Sequence, residues 1–110
     1  ARSVGGMEAG AIPLATAVSL ESRGMDFPPR SFWVRKSPKS HGTGRLIEGM
    51  LETPYILVDD VITTGSSVLR ALEAAGDGCA GIHTILFRGS DRDRAKLEEA
   101  APHSHGGPPL

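Results

Sequence analysis

The sequence predicts an α/β fold in which helices flank a parallel sheet. Two observations support this expectation. Short apolar segments alternate with helical patterns along the 110 residues, and residues 55–58 are apolar at every position. Continuous apolarity is typical of a strand that is buried on both faces of a parallel sheet.

Four strands are expected from the apolar segments. Val4 closes the first strand, and the others are centred on residues 32–34, 55–58 and 82–87. Helical patterns separate these segments, so strand, helix and strand alternate along the chain. This alternation indicates βαβ units with right-handed crossovers.

Three helices are expected between and after the strands. The first carries Pro13 in its first turn, where proline is tolerated. The second begins where Ser66 or Ser67 can cap it. The third, from about residue 92 to 100, is charged, so we expect it to be mostly solvated.

Length and composition indicate one small domain. We expect a core domain over residues 1–100 and a flexible tail over residues 101–110, which contains two histidines. The net charge of −1 gives no general attraction to nucleic acid or membranes. The single Cys79 favours a reducing, cytoplasmic compartment. Because the chain opens at Ala1 without an initiator Met, we expect a fragment or a processed chain.

An acidic pair and a loop rich in hydroxyl groups follow the strand at residues 55–58. Asp59 and Asp60 come first, and a Thr-Thr-Gly-Ser-Ser segment leads into the second helix. Ligands bind at the carboxyl ends of strands in open α/β sheets, and a helix N-terminus there suits a phosphate. The carboxylates suit ribose hydroxyls, either directly or through Mg²⁺. The alternative is an Asp-Asp turn before an ordinary capped helix.

The 13-residue string from 55 to 67 resembles the phosphoribosyl diphosphate (PRPP) signature of type I phosphoribosyltransferases. This resemblance implies a core of that family's fold. It implies that the acidic pair contacts the ribose, that Asp60 takes part in catalysis and that Thr63 also contacts the base. The ribose and 5′-phosphate would be bound by Asp59, Asp60, Val61, Ile62, Thr63, Thr64, Gly65, Ser66 and Ser67.

A basic segment lies between Phe27 and Ile47, with five basic residues, one His and no acid. A solvated basic loop would have this composition too. However, its order of Arg-Lys, two residues, Lys, one residue and His-Gly resembles the catalytic loop of orotate phosphoribosyltransferases. Cations over a leaving diphosphate stabilise the transition state. The resemblance implies that the diphosphate is contacted by Arg35, Lys36, Lys39 and His41. It also implies that the last three of these residues are catalytic.

The same resemblance implies a homodimer, in which the 35–44 loop reaches the neighbouring site. The turn after the first strand resembles the family's pyrophosphate-binding turn, and the implied diphosphate contacts are Glu8, Ala9 and Gly10. Several orotate enzymes carry Tyr-Lys where this chain has Ala-Gly, so the contact should come from the backbone. At the end of the last strand, Arg88 follows Phe87, which replaces a family Asp. A planar guanidinium suits the orotate carboxylate.

Taken together, the resemblance implies an Mg²⁺-dependent transferase that makes orotidine 5′-monophosphate and pyrophosphate from orotate and PRPP, in pyrimidine synthesis. The resemblance covers residues 3–90 of the chain. The N-terminal segment that forms part of a hood over the base in this family has no counterpart in this sequence. Two alternatives stay open for this reason. One is transfer to another base, a purine or uracil, and the other is a non-catalytic PRPP-binding regulator or fragment. Neither nucleic acid nor a membrane is an expected partner.

Overall fold

The computed structural model describes residues 1–37 and 46–101. These residues form five strands and three helices. In chain order the elements are β1 (Ser3–Gly5), α1 (Ala11–Glu21), β2 (Arg30–Val34), β3 (Ile47–Gly49), β4 (Tyr55–Ile62), α2 (Ser66–Ala75), β5 (Cys79–Phe87) and α3 (Asp91–Ala100).

The five strands form one sheet in the order β3-β2-β1-β4-β5. β1 pairs in parallel with both β2 and β4, and β4 pairs in parallel with β5, which confirms the predicted parallel core. β3 is a correction to the expected four strands, because it pairs antiparallel with β2 and closes a mixed sheet. A three-residue strand is too short to give a recognisable periodicity.

The helices cover both faces of the sheet, and each face has its own apolar cluster. On one face, Ala11 and Ala15 of α1 pack against Val4 and Val58. On the other face, residues of α2 and α3 pack against strand residues, among them Val68, Ala71, Leu97, Phe32, Tyr55 and Leu57. The sheet is therefore the middle layer, as its apolar strands predict.

The hydroxyl groups of two buried residues, Tyr55 and Ser3, have hydrogen-bond partners. The Tyr55 hydroxyl donates to the Gly76 carbonyl oxygen, and burial raises the pKa of Tyr55 to about 12. The Ser3 hydroxyl donates to the Glu52 carbonyl oxygen at 2.6 Å and accepts from the Glu52 amide at 2.9 Å. These bonds fix the amino ends of β1 and β4 side by side.

The helix starts differ from the expectation at one point. Pro13 is in the first turn of α1, as predicted. The N-cap of α2 is Gly65 at φ +86°, and neither Ser66 nor Ser67 caps the helix, which corrects the predicted serine cap. Both serines lie within the first turn instead, where their amides are free of intrahelical acceptors. For α3, Ser90 and Asp93 form a reciprocal capping box.

The remaining predictions concern the C-terminal tail, membrane-spanning helices and the single cysteine. Of the predicted tail, only Ala101 belongs to the described residues, and residues 102–110 lie outside them. In the described part of the chain, no helix has the length and apolar character needed to cross a bilayer. Cys79 is a buried free thiol whose pKa is raised by burial.

Leu97 joins α3 to the core and touches the start of α2. It is fully buried, and a Cβ placed on Gly65 would lie 2.7 Å from Leu97 Cδ2. We expect Leu97→Ala to lower the free energy of unfolding by about 2–5 kcal/mol, because it leaves a cavity in a packed interior. Urea unfolding followed by circular dichroism measures this loss. The exposed Glu99→Ala on the same helix is the control, and an equal loss there would contradict the role of Leu97.

Candidate active site

The site lies where the direction of chain winding changes, between β1 and β4. From β1 the chain continues through α1 to β2 on one side, and from β4 it continues through α2 to β5 on the other. A crevice opens at the carboxyl ends of the strands at such a switch point. The two segments that border it here are the first turn (residues 6–10) and the hydroxyl loop (residues 63–67).

The first turn packs directly against the end of β4. A Cβ on Gly6 would overlap the Val58 carbonyl oxygen. A Cβ on Gly10 would lie 3.0 Å from Oδ1 of both Asp59 and Asp60. The structure thus brings Gly10 against the acidic pair, although the two lie about fifty residues apart in the sequence. Glu8 and Ala9 precede Gly10 in this turn and are joined by a cis peptide bond.

Asp59 and Asp60 are the last polar residues of β4 before its final pair, Val61 and Ile62. The Asp60 amide donates to Asp59 Oδ1 and the Val61 amide donates to Asp60 Oδ1, both at 2.8 Å. Asp59 is half-buried, whereas Asp60 is exposed. Adjacent residues on a strand point to opposite faces, yet both carboxylates reach the first turn.

The environment shifts the pKa values of the two carboxyl groups in opposite directions. Burial, and after it the neighbouring Asp60 carboxyl, raises the pKa of Asp59 to about 6. The hydrogen bond with Asp59 lowers the pKa of Asp60 below its ordinary value. Asp60 is therefore the more acidic member of the pair, and Asp59 is the member that holds a proton more readily.

The hydroxyl loop forms a concave surface between β4 and α2. Asp59 and residues 61–68 line a small pocket of about 40 Å³. Thr63, Thr64, Ser66 and Ser67 are exposed in it, and the Ser66 amide lies 3.3 Å from Thr64 Oγ1. Because Gly65 takes a left-handed conformation, the chain can turn sharply into α2. The pocket therefore presents hydroxyl groups beside a helix N-terminus, which suits a phosphate.

Arg88 lies beside this loop at the end of β5. Its amide donates to the Ile62 carbonyl oxygen at 2.8 Å, which extends the pairing with β4. A Cβ on Gly89 would overlap the Thr63 carbonyl oxygen, so the two segments are in close contact. Arg88 and Thr63, both predicted to contact the base, are therefore neighbours, and both are exposed.

The basic segment enters the site from the other side, at the end of β2. Arg35 Nη1 lies 3.9 Å from Glu48 Oε1 of β3. The Lys36 amide donates to Glu8 Oε2 at 2.7 Å, so the segment touches the first turn. Lys39 and His41 lie outside the described residues, as do residues 38–44 of the predicted loop.

Sequence reasoning missed Arg70, which is on α2. Its Nη2 donates to the Lys36 carbonyl oxygen at 3.0 Å, thirty-four residues away in the sequence. No motif marks Arg70, because its partner is a backbone atom of a distant segment. The feature of the sequence that could have pointed to Arg70 is its place one helical turn after Ser66, on the helix that begins at the hydroxyl loop.

The acidic pair fits Mg²⁺ in the form that this ion takes beside phosphates. Mg²⁺ is usually held by one or two carboxylates, several waters and substrate oxygens, without a closed protein cage. Asp59 and Asp60 supply two carboxylates near one point, since Oδ1 of each lies 3.0 Å from the same Cβ position on Gly10. Residues 1–37 and 46–101 contain no group of three or more acidic, His or Cys side chains that could hold a metal by themselves.

Known proteins that resemble this chain are orotate phosphoribosyltransferases. No protein-family model matches the chain. It is 48% identical over 90 residues to the enzyme of Pyrococcus furiosus, which covers 77% of this chain and 47% of that protein. It is 35% identical over 104 residues to that of Rhodopseudomonas palustris, which covers 89% of this chain and 55% of that protein. The chain thus spans about half the length of the curated relatives it matches.

Two solved structures are similar in both fold and sequence. A phosphoribosyltransferase from Corynebacterium diphtheriae superposes with a TM-score of 0.68 at 30% identity, covering 92% of this chain and 67% of that chain. The orotate phosphoribosyltransferase of Mycobacterium tuberculosis in complex with PRPP superposes with a TM-score of 0.60 at 31% identity. That match covers 80% of this chain and 60% of that chain.

The acidic pair should titrate in two separate steps in the free chain. We expect the Asp59 carboxyl carbon to titrate near pH 6 and that of Asp60 below its ordinary pKa, as measured by carbon-detected NMR. Asp60→Asn should lower the Asp59 midpoint, because the neighbouring carboxyl is removed while burial stays. An Asp59 midpoint near pH 4 in the wild type would show that the carboxyl is not shielded from water.

Proposed function

This chain belongs to the phosphoribosyltransferase family, and we propose on that basis that it transfers phosphoribosyl from PRPP to orotate. The products are orotidine 5′-monophosphate and pyrophosphate, as in pyrimidine synthesis. The observation that carries the proposal is the meeting of Gly10 with Asp59 and Asp60 beside the hydroxyl loop. Each half of PRPP then has a matching surface on either side of one crevice.

The ribose and its 5′-phosphate would be held by the end of β4 and the start of α2. Ionised carboxylates accept hydrogen bonds from ribose hydroxyls, and Asp60 is the carboxylate exposed for this. Thr63, Thr64, Ser66 and Ser67 donate hydroxyl protons to the phosphate. The amides of the first turn of α2 add donors and the positive end of the helix dipole.

The diphosphate would lie across the first turn and the basic segment. During transfer the bond from the anomeric carbon to a diphosphate oxygen breaks, and its electron pair leaves with the diphosphate. A ring nitrogen of orotate forms the new bond to the anomeric carbon with its electron pair, and its N–H proton passes to the departing diphosphate. Negative charge therefore grows on the diphosphate and positive charge on the ribose. Arg35, Lys36, Lys39 and His41 act on the first charge, and the acidic pair acts on the second.

Mg²⁺ would be bound by PRPP oxygens and, through water, by Asp59 and Asp60, where it neutralises part of the diphosphate charge. For this contact Asp59 must give up its proton. Its raised pKa means that the free protein holds this proton below about pH 6.

The base would bind next to Thr63 and Arg88. A guanidinium can form two parallel hydrogen bonds with the orotate carboxylate, and Arg88 is exposed at the crevice. The contact of Gly89 with Thr63 fixes the backbone of Arg88 against the hydroxyl loop. Orotate is favoured over purines and uracil because it is the base with a carboxylate.

Two further properties belong to this proposal. A homodimer would place the 35–44 segment of one subunit at the neighbouring site. A cytoplasmic location is supported by Cys79, which is the single cysteine of the chain and is buried as a free thiol.

Pyrophosphate release by this chain tests the function directly. PRPP and Mg²⁺ are supplied with orotate, uracil, hypoxanthine or adenine in parallel, and we expect release with orotate alone. Release with a different base would reassign the acceptor. PRPP binding without release for any of the four would favour a regulator in place of an enzyme.

Neutralising the acidic pair should abolish binding of PRPP. We expect Asp59→Asn combined with Asp60→Asn to weaken binding at least about 100-fold, since the ribose loses two charged acceptors at ~1.5–3 kcal/mol each. Calorimetry with PRPP and Mg²⁺ measures this. Asp26→Asn, in the exposed segment after α1, is the control. Unchanged affinity in the double variant would refute the ribose assignment.

Removing the Arg88 guanidinium should affect the base and leave PRPP alone. We expect Arg88→Ala to raise the KM for orotate about tenfold or more, with an unchanged KM for PRPP, because a charged hydrogen bond contributes ~1.5–3 kcal/mol. Arg92→Ala on the exposed start of α3 provides the comparison. Equal orotate KM values in the two variants would remove Arg88 from the base site.

A further inference from the structure

Glu8 places a negatively charged side chain in the first turn. A carboxylate in a turn that binds a diphosphate repels its ligand, unless the carboxylate has another partner. In the structure it has one, because Glu8 Oε2 accepts the Lys36 amide at 2.7 Å. The acid thus faces the backbone of a residue predicted to be catalytic.

The backbone around this contact is fixed on both sides. The Val34 amide donates to the Gly6 carbonyl oxygen at 2.8 Å, and the Glu8 amide donates to the Val34 carbonyl oxygen at 2.9 Å. Met7 also forms a parallel bridge with Val34. Glu8 and Lys36 follow this paired stretch by one and two residues, so their meeting is set by the register of the turn against β2.

Arg70, which lies on α2, also contacts Lys36. Its Nη2 donates to the Lys36 carbonyl oxygen at 3.0 Å. Arg70 is one helical turn after Ser66, on the helix whose first turn borders the hydroxyl loop. Both backbone polar atoms of Lys36 are therefore bound, the amide by a carboxylate and the carbonyl by a guanidinium, and each bond is charge-assisted.

We propose that Glu8 and Arg70 are positioning residues that clamp the backbone of Lys36 and so place its ammonium group over the leaving diphosphate. This inference rests on the proposed function. The clamp ties Lys36 to both halves of the PRPP site, since Glu8 belongs to the first turn and Arg70 to α2. It also removes the free charge of Glu8 from the path of the diphosphate.

Steady-state kinetics on this chain test the clamp with alanine variants and conservative variants of Glu8 and Arg70. We expect Glu8→Ala and Arg70→Ala each to lower kcat about tenfold with little change in the KM for PRPP, because a misplaced catalytic group costs rate before binding. Glu8→Gln keeps an acceptor oxygen, so it should restore most of kcat. Arg70→Lys should restore part of it. Glu73→Ala, exposed on α2 and away from Lys36, should match the wild type.

A double-mutant cycle separates a clamp from a general structural effect. In a Lys36→Ala background there is no ammonium group to place, so adding Arg70→Ala should cost little further kcat. Full additivity of the two losses would overturn the clamp. Raised activity in Glu8→Ala, with tighter PRPP binding, would also overturn it, because Glu8 would then act by repulsion alone.

One measurement is independent of turnover and keeps the two proposals distinguishable. In proton-nitrogen NMR spectra, the Lys36 amide proton should move upfield by several tenths of a ppm in Glu8→Ala and stay near its position in Glu73→Ala. A chain that releases no pyrophosphate would refute the proposed function, while the shift of this amide would still support the clamp. An unmoved Lys36 amide in Glu8→Ala would overturn the clamp even in an active enzyme.

Discussion

The first turn approaches β4 so closely that a side chain is excluded at Gly6 and would be tightly packed at Gly10. A Cβ on Gly6 would overlap the Val58 carbonyl oxygen, and one on Gly10 would press on both carboxylates of the acidic pair. Glycine at position 6 therefore lets the backbone of the turn approach the end of β4 closely. The distance between the two halves of the site, and hence its match to one small ligand, depends on this contact.

The sheet order brings every described group of the site to one edge. β1 and β4 are central, and each contributes the segment that follows its carboxyl end. β2 adds Arg35 and Lys36 on one side, and β5 adds Arg88 on the other. Because these four strands run in parallel, their carboxyl ends lie at the same side of the sheet, and residues far apart in the sequence converge there. Acids therefore occupy the middle of the crevice and cations its two flanks.

The parts of the site that could be predicted from sequence are those whose chemistry is local. Asp59, Asp60 and the hydroxyl loop are contiguous, so one string of residues gave both their identity and their place after a buried strand. The α2 cap was predicted wrongly, because Gly65 takes the N-cap position and the two serines that follow it lie inside the first turn. The bonds from Glu8 and Arg70 to Lys36 could not be foreseen, since they join residues 28 and 34 positions apart through backbone atoms.

Gly10 also limits how this turn can change during evolution. This chain has Ala9-Gly10 where the resemblance to orotate enzymes sets a Tyr-Lys pair. The Cβ of a lysine at position 10 would lie 3.0 Å from Oδ1 of Asp59 and of Asp60, so these two side chains would have to shift slightly. A larger residue at position 10 is thus expected to require a compensating shift of the acidic pair.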